Sequence, residues 1–237
     1  MSFPIKPIYL LADSQLLFWS EDGALFLQRI RDDIDKENPK AAYIGASNGD
    51  QPEFFSIFEA AMESIGITDC RMIFSDYQSE DRDFLNEADI ILLAGGDVAM
   101  GWRAFEQTGM GQDIIQRYYG SATLIGISAG AVHLGLKGWS GEMPEDEDDL
   151  FDTFKLIPFV LDAHDEANQW QRLRKLVSVS DEYIKGMGLP TGGGLVYHPD
   201  HTIQPIRHSI VEFYRQDEDV VQTLLFPGSE ETGEAAD

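Results

Sequence analysis

The chain has 237 residues, 43% of them hydrophobic, which is enough for one large core and short for two. With 42 acidic against 17 basic residues the net charge is −25. Such a surface repels phosphate backbones and anionic lipid, so neither nucleic acid nor a membrane is an expected partner.

Cys70 is the only cysteine, which excludes an intrachain disulfide and a cysteine-built metal site. Met1 to Lys6 lack the apolar core of a signal peptide, and no apolar run approaches the roughly 18 residues of a membrane span. The expected location is the cytoplasm. Residues 1–228 read as one α/β domain. The tail from Ser229 to Asp237 carries four acids and no base and is expected to be disordered; the acidic run Glu145 to Asp149 is expected to be solvated, mobile chain.

In chain order, Ile8 to Ala12 is a short apolar run, the first expected strand. Gly23 to Ile34 has a helical period, with Leu25, Phe26, Ile30 and Ile34 apolar. Ala41 to Ala46 is a second strand. The next helix starts near Pro52, with Phe54, Phe55, Phe58, Ala61 and Met62 assigned to one face, and Gly66 stops it. Cys70 to Phe74 and Asp89 to Leu93 are two more strands, the latter almost wholly apolar, as in a strand buried on both faces. Helices are expected near Val98 to Phe105 and Gln112 to Tyr119, and a strand before Ser128. Apolar runs alternating with amphipathic helices predict a mostly parallel sheet covered on both faces. Such sheets bind ligands beyond the carboxyl ends of their strands, where the loops Gly45 to Asp50, Gly95 to Asp97 and Gly126 to Gly130 fall. Further on, Phe154 to Leu161 reads as a strand and Glu166 to Val177 as a helix. Gly188 to Leu225 reads as C-terminal β-hairpins.

Gly126-Ile127-Ser128-Ala129-Gly130 follows an apolar run and leads into small residues that begin a helix. A nucleophile elbow needs this shape: the serine stands at the tip of a tight strand-to-helix turn. The amide of Ala129 then points at any oxyanion formed beside Ser128. A serine needs a base, and the base benefits from a carboxylate that fixes its tautomer. Among five histidines, His164 follows an expected strand and precedes an expected helix, on the same sheet edge as Ser128. His133 lies on the helix after Ser128 and is expected to point away. His198 and His201 flank a turn, and no third ligand completes a metal site. Glu142, between nucleophile and base, and Asp162, two residues before His164 and on its face if both lie in a strand, are the candidate acids.

Four segments resemble the serine peptidases typified by dipeptidase E and cyanophycinase: Ala94-Gly95-Gly96-Asp97, Gly126-Ile127-Ser128-Ala129-Gly130-Ala131, Gly141-Glu142-Met143-Pro144, and Leu156-Ile157-Pro158 followed by Asp162-Ala163-His164. They span roughly residues 40 to 175 with their flanking elements, in the family's order. The resemblance implies a class I glutamine amidotransferase-like fold with Ser128 as nucleophile, His164 as base and Glu142 as orienting acid. It implies the Gly96 and Ala129 amides as oxyanion hole, with Asp97 and Asp162 against the substrate. The implied substrate is a small peptide, cleaved at a peptide or isopeptide bond through an acyl-enzyme, with no cofactor and no metal.

Two departures bear on the substrate. Glutamate stands where the dipeptidases carry aspartate. The arginines that cyanophycinases place soon after the histidine are replaced by Asp165-Glu166-Ala167-Asn168-Gln169, with Arg172 and Arg174 following. An acidic rim favours a cationic or neutral substrate over one with a free carboxylate, unless Arg172, Arg174 or Arg103 turns inward. The competing readings are an α/β-hydrolase esterase, which shares the elbow but places its histidine near the chain end, and a non-catalytic binding protein on the same fold. The Trp139 loop and the hairpin edges are the surfaces expected to serve a homodimer.

Overall fold

The computed structural model describes residues 4–180, 183–217 and 219–228; the acidic tail lies outside them. Its strands are β1 (Ile8–Leu11), β2 (Ser20–Glu21), β3 (Ala24–Leu25), β4 (Lys40–Ile44), β5 (Asp69–Ile73), β6 (Ile90–Leu93), β7 (Thr123–Ile127), β8 (Lys137–Trp139), β9 (Leu150–Asp152), β10 (Phe159–Ala163), β11 (Lys185–Leu189), β12 (Gly194–Tyr197), β13 (Ile203–Ile206), β14 (Ile210–Gln216) and β15 (Asp219–Leu225). Its helices are α1 (Gln28–Asp32), α2 (Pro52–Glu63), α3 (Ser79–Leu85), α4 (Val98–Thr108), α5 (Met110–Tyr119), α6 (Ala129–Leu134) and α7 (Gln171–Val179).

The main sheet runs β13-β12-β1-β7-β6-β4-β5. Strands β1, β7, β6, β4 and β5 are parallel, and the β12–β13 hairpin adds to β1 antiparallel. Each central strand is apolar on both faces, and successive residues divide between two cores. Ile8, Leu10, Ala42, Ile44, Ile91 and Leu93 pack on one side with α4, α5 and α6. Tyr9, Leu11, Ala41, Tyr43, Ile90 and Leu92 pack on the other with α1 and α2. This explains the unbroken apolar runs, since a strand covered on both sides has no polar alternate. The chain leaves β4 toward β5 on one side and returns to β6 on the other, which opens a crevice at the carboxyl ends of β4 and β6.

A second sheet, β10-β11-β14-β15, extends the first core. β10 and β11 are parallel, the rest antiparallel. The C-terminal hairpins are therefore present, divided between the two sheets.

Four local expectations differ from the structure. The helix expected from Gly23 is only Gln28–Asp32, because Asp22 and Gly23 take positive φ and turn the β2–β3 ribbon. The strand expected from Phe154 begins at Phe159: Lys155 has φ 55°, and Pro158 has no amide to give a ladder. The helix expected from Glu166 is a short 3-10 turn, Glu166–Asn168, then α7, because Gln169 and Trp170 both take positive φ. The acidic run is ordered: Asp146 caps a 3-10 turn at Glu147–Asp149, and Asp149 accepts from the Glu145 amide. Helix α3 had no counterpart in the sequence reading.

Candidate active site

Ser128 ends β7 and precedes α6, with φ 50° and ψ −111°. This is the strained turn of a nucleophile elbow. Its amide donates to Leu11 O at 2.9 Å, and its carbonyl accepts from Ala131 and Val132, so both flanks of the strained residue are fixed. The turn admits no side chain beside it. A Cβ on Gly126 would stand 2.7 Å from the backbone of Ala131, and one on Gly130 would stand 2.0 Å from Leu93 O.

The loop after β6 lies against the serine. A Cβ on Gly95 would be 3.2 Å from that of Ser128. Gly96 has φ 143°, and a Cβ there would meet Ser47 O at 2.0 Å, so only glycine fits. The loop after β4 locks onto it: Asp97 N donates to Ser47 O at 2.7 Å, and Asn48 Nδ2 donates to Gly95 O at 3.2 Å. Three glycine-bearing loops thus meet at one sheet edge. Among the described residues the Gly96 amide has no acceptor. Ala129, the first residue of α6, has its amide ahead of the intrahelical ladder.

His164 follows β10 directly, and its amide continues the pairing with β11 by donating to Leu189 O. Its φ of 62° takes it out of the strand. Asp162 and His164 therefore do not share a face. His164 is exposed and opens, with Ser128, into a cavity of about 260 Å³. Apolar walls come from Leu17, Phe54, Ile57, Phe58, Ala94 and Ile127.

Asp162 goes elsewhere. Its side chain is 1% exposed and takes a two-point contact from Arg172, Nε at 3.0 Å and Nη2 at 2.5 Å, plus the Ala163 amide at 2.8 Å. Burial pushes the Asp162 carboxyl up, and Arg172 pulls it back without fully offsetting that. The pair borders a second hollow of about 150 Å³, shared with Ser128, Gly96 and Ala129. Arg172 also lies 5.1 Å over the ring of Trp139. Trp139 is 5% exposed, so this residue is packed inside rather than offered to a partner. Asp97 borders the same hollow, but one of its oxygens caps α4, accepting from the Met100 amide at 2.6 Å.

Glu142 is exposed; among the described residues it has no hydrogen bond or ion pair, and it borders neither hollow. Glu166, two residues after His164, carries a carboxyl of lowered pKa. Burial raises its carboxyl, but bonds from Thr191 (amide to Oε1, 2.8 Å) and the field of His164 outweigh this and hold it low. Its position two residues after His164 was the available signal. Phe54 and Ile57 also carried one: α2 has too many apolar residues for one face. Phe58, Ala61 and Met62 enter the core, whereas Phe54 and Ile57 are 47% and 37% exposed at the cavity.

The other histidines lie apart. His133 is buried between Trp102 and Phe105, with Nε2 2.8 Å from Val98 O. His201 Nδ1 bonds Tyr197 Oη, and His198 Nε2 bonds Gln204. Among the described residues no helix is long and apolar enough to cross a membrane.

The model of peptidase family S51 matches residues 8–204. No curated protein sequence matches. A peptidase from an acI-B1 Actinobacterium has a similar structure, with TM-score 0.72 and 14% identity over 95% of this chain and 96% of that one. A peptidase E-type protein from Listeria monocytogenes EGD-e is similar at TM-score 0.57 and 16% identity, over 94% of this chain and 100% of that one. The family match spans the elbow, both glycine loops and His164, and the chain belongs to peptidase family S51, the serine-type peptidases.

Proposed function

We propose that the protein hydrolyses the amide bond of a small peptide through an acyl-enzyme on Ser128. The carrying observation is that Ser128, on a strained elbow, opens into one cavity with His164. In the proposed reaction His164 takes the hydroxyl proton as Oγ attacks the carbonyl carbon, and the oxyanion is held by the Gly96 and Ala129 amides. Collapse breaks the C–N bond, and the proton passes from His164 to the leaving amine. Water then attacks the ester, giving its proton to His164, and Ser128 is released with its proton restored.

Glu142 is proposed as the orienting acid on its motif. This requires its loop to bring the carboxylate to His164 in the working enzyme. Glu166, already in the field of His164, is the second reading for that role. Asp97 and Asp162 are proposed to act at the substrate through the smaller hollow, Asp162 by holding Arg172 there. A mixed peptide library followed by mass spectrometry tests the reaction. Cleavage by the wild type and none by Ser128→Ala is expected; equal cleavage by both contradicts it.

A further inference from the structure

We propose that the larger cavity beside Ser128 is a subsite for an apolar side chain of the scissile residue pair, and that the enzyme discriminates against acidic residues there. The inference rests on Ser128 being the nucleophile. Three observations carry it.

The first is the wall. Phe54 and Ile57 stand exposed at the mouth of the cavity, with Phe58 and Ile127 deeper, although α2 needs only Phe58, Ala61 and Met62 for the core. Large apolar side chains left at a cavity rim mark a surface that a ligand covers. Its volume of about 260 Å³ lies just under the roughly 300–1,000 Å³ of sites that enclose drug-sized ligands, and suits one side chain.

The second is that two polar side chains of the lining, Asp13 and Asn48, are already engaged. Asp13 accepts from the Gln15 amide at 2.7 Å, from Gln15 Nε2 at 3.2 Å and from the Gly192 amide at 2.6 Å. Asn48 donates to Tyr43 Oη and Gly95 O and accepts from the Gln51 amide. Neither of these two side chains is left to donate to a substrate carboxylate.

The third is charge. Among the described residues no lysine or arginine lines this cavity, and Asp13 does. Arg172, the basic residue of the neighbouring hollow, has two of its nitrogens bound by buried Asp162. An acidic side chain would be desolvated beside a like charge with no lysine or arginine to pair it, whereas an apolar one gains burial.

Two measurements test this. Alkyl fluorophosphonates with ethyl and octyl chains read the subsite without a known peptide. Labelling of Ser128 is expected to be at least about tenfold faster with the octyl probe. Ile57→Glu should remove most of that preference; Phe54→Ala, a milder change at an exposed position, should reduce it. Peptides with Leu or Phe at one scissile position should likewise exceed their Asp or Glu counterparts at least about tenfold in kcat/KM. Equal labelling by both probes, or faster cleavage of the acidic peptides, overturns the subsite and leaves the nucleophile standing. A folded protein whose Ser128 takes neither probe overturns both.

Discussion

The two hollows on either side of Ser128 are built on opposite principles. The larger is walled by α2, the segment after β1 and the β6 loop, and its side chains are mainly apolar. The smaller is walled by α4, α6 and β10 and centres on the Asp162–Arg172 pair. One offers dry surface to a substrate; the other spends its charge internally and presents backbone amides. The difference teaches that a half-buried arginine near a nucleophile is not by itself an anion site. What matters is whether its nitrogens are free, and here Nε and Nη2 are bound.

Breaking the polar side should have the largest effect on stability. Arg172→Met leaves the Asp162 carboxylate, 1% exposed, without its counterion, and is expected to cost about 3–5 kcal/mol in urea unfolding. Pairing it with Asp162→Leu should recover most of the loss; a double variant as unstable as the single one would mean that the pair is not what the hollow depends on.

Behind that hollow, His133 should set part of the acid sensitivity. Burial lowers its pKa from 6.5 to about 4, so between those values the unfolded chain takes up a proton that the fold refuses. Its contribution is full above about pH 6.5 and falls as pH drops toward 4, by about 3 kcal/mol in all. His133→Phe should flatten the stability profile in that window relative to wild type. An unchanged slope would assign the acid sensitivity to other groups.

On the side of His164, the two glutamates are expected to separate. Glu142→Gln should lower kcat roughly a hundredfold with KM little changed, as for loss of an orienting acid. Glu166→Gln should reduce the rate less than about tenfold. A deeper loss in Glu166→Gln than in Glu142→Gln would transfer the orienting role.

The parallel sheet, the meeting of three loops and the elbow at Ser128 were legible because each rests on local chemistry: unbroken apolar runs, and glycines where no Cβ fits. The placement of His164 beside the elbow was legible from the strand that precedes it. The shared face of Asp162 and His164 was not, because a strand was assumed to run through a residue whose φ is 62°. The roles of Phe54 and Ile57 were also hidden. Periodicity counts apolar positions on a helix but does not say which of two apolar surfaces meets the core and which a cavity. Asp13 and Arg172 reach the two hollows from distant parts of the sequence, across contacts that no spacing encodes.

The proposed hydrolysis requires the Ser128 hydroxyl to be a nucleophile activated by His164. Intact-protein and peptide mass spectrometry after exposure to a fluorophosphonate reads this directly. A single adduct on Ser128 is expected, absent in Ser128→Ala, slowed at least about a hundredfold in His164→Gln and unaffected in Cys70→Ser. An adduct elsewhere, or labelling of Ser128 at the same rate without His164, would contradict it.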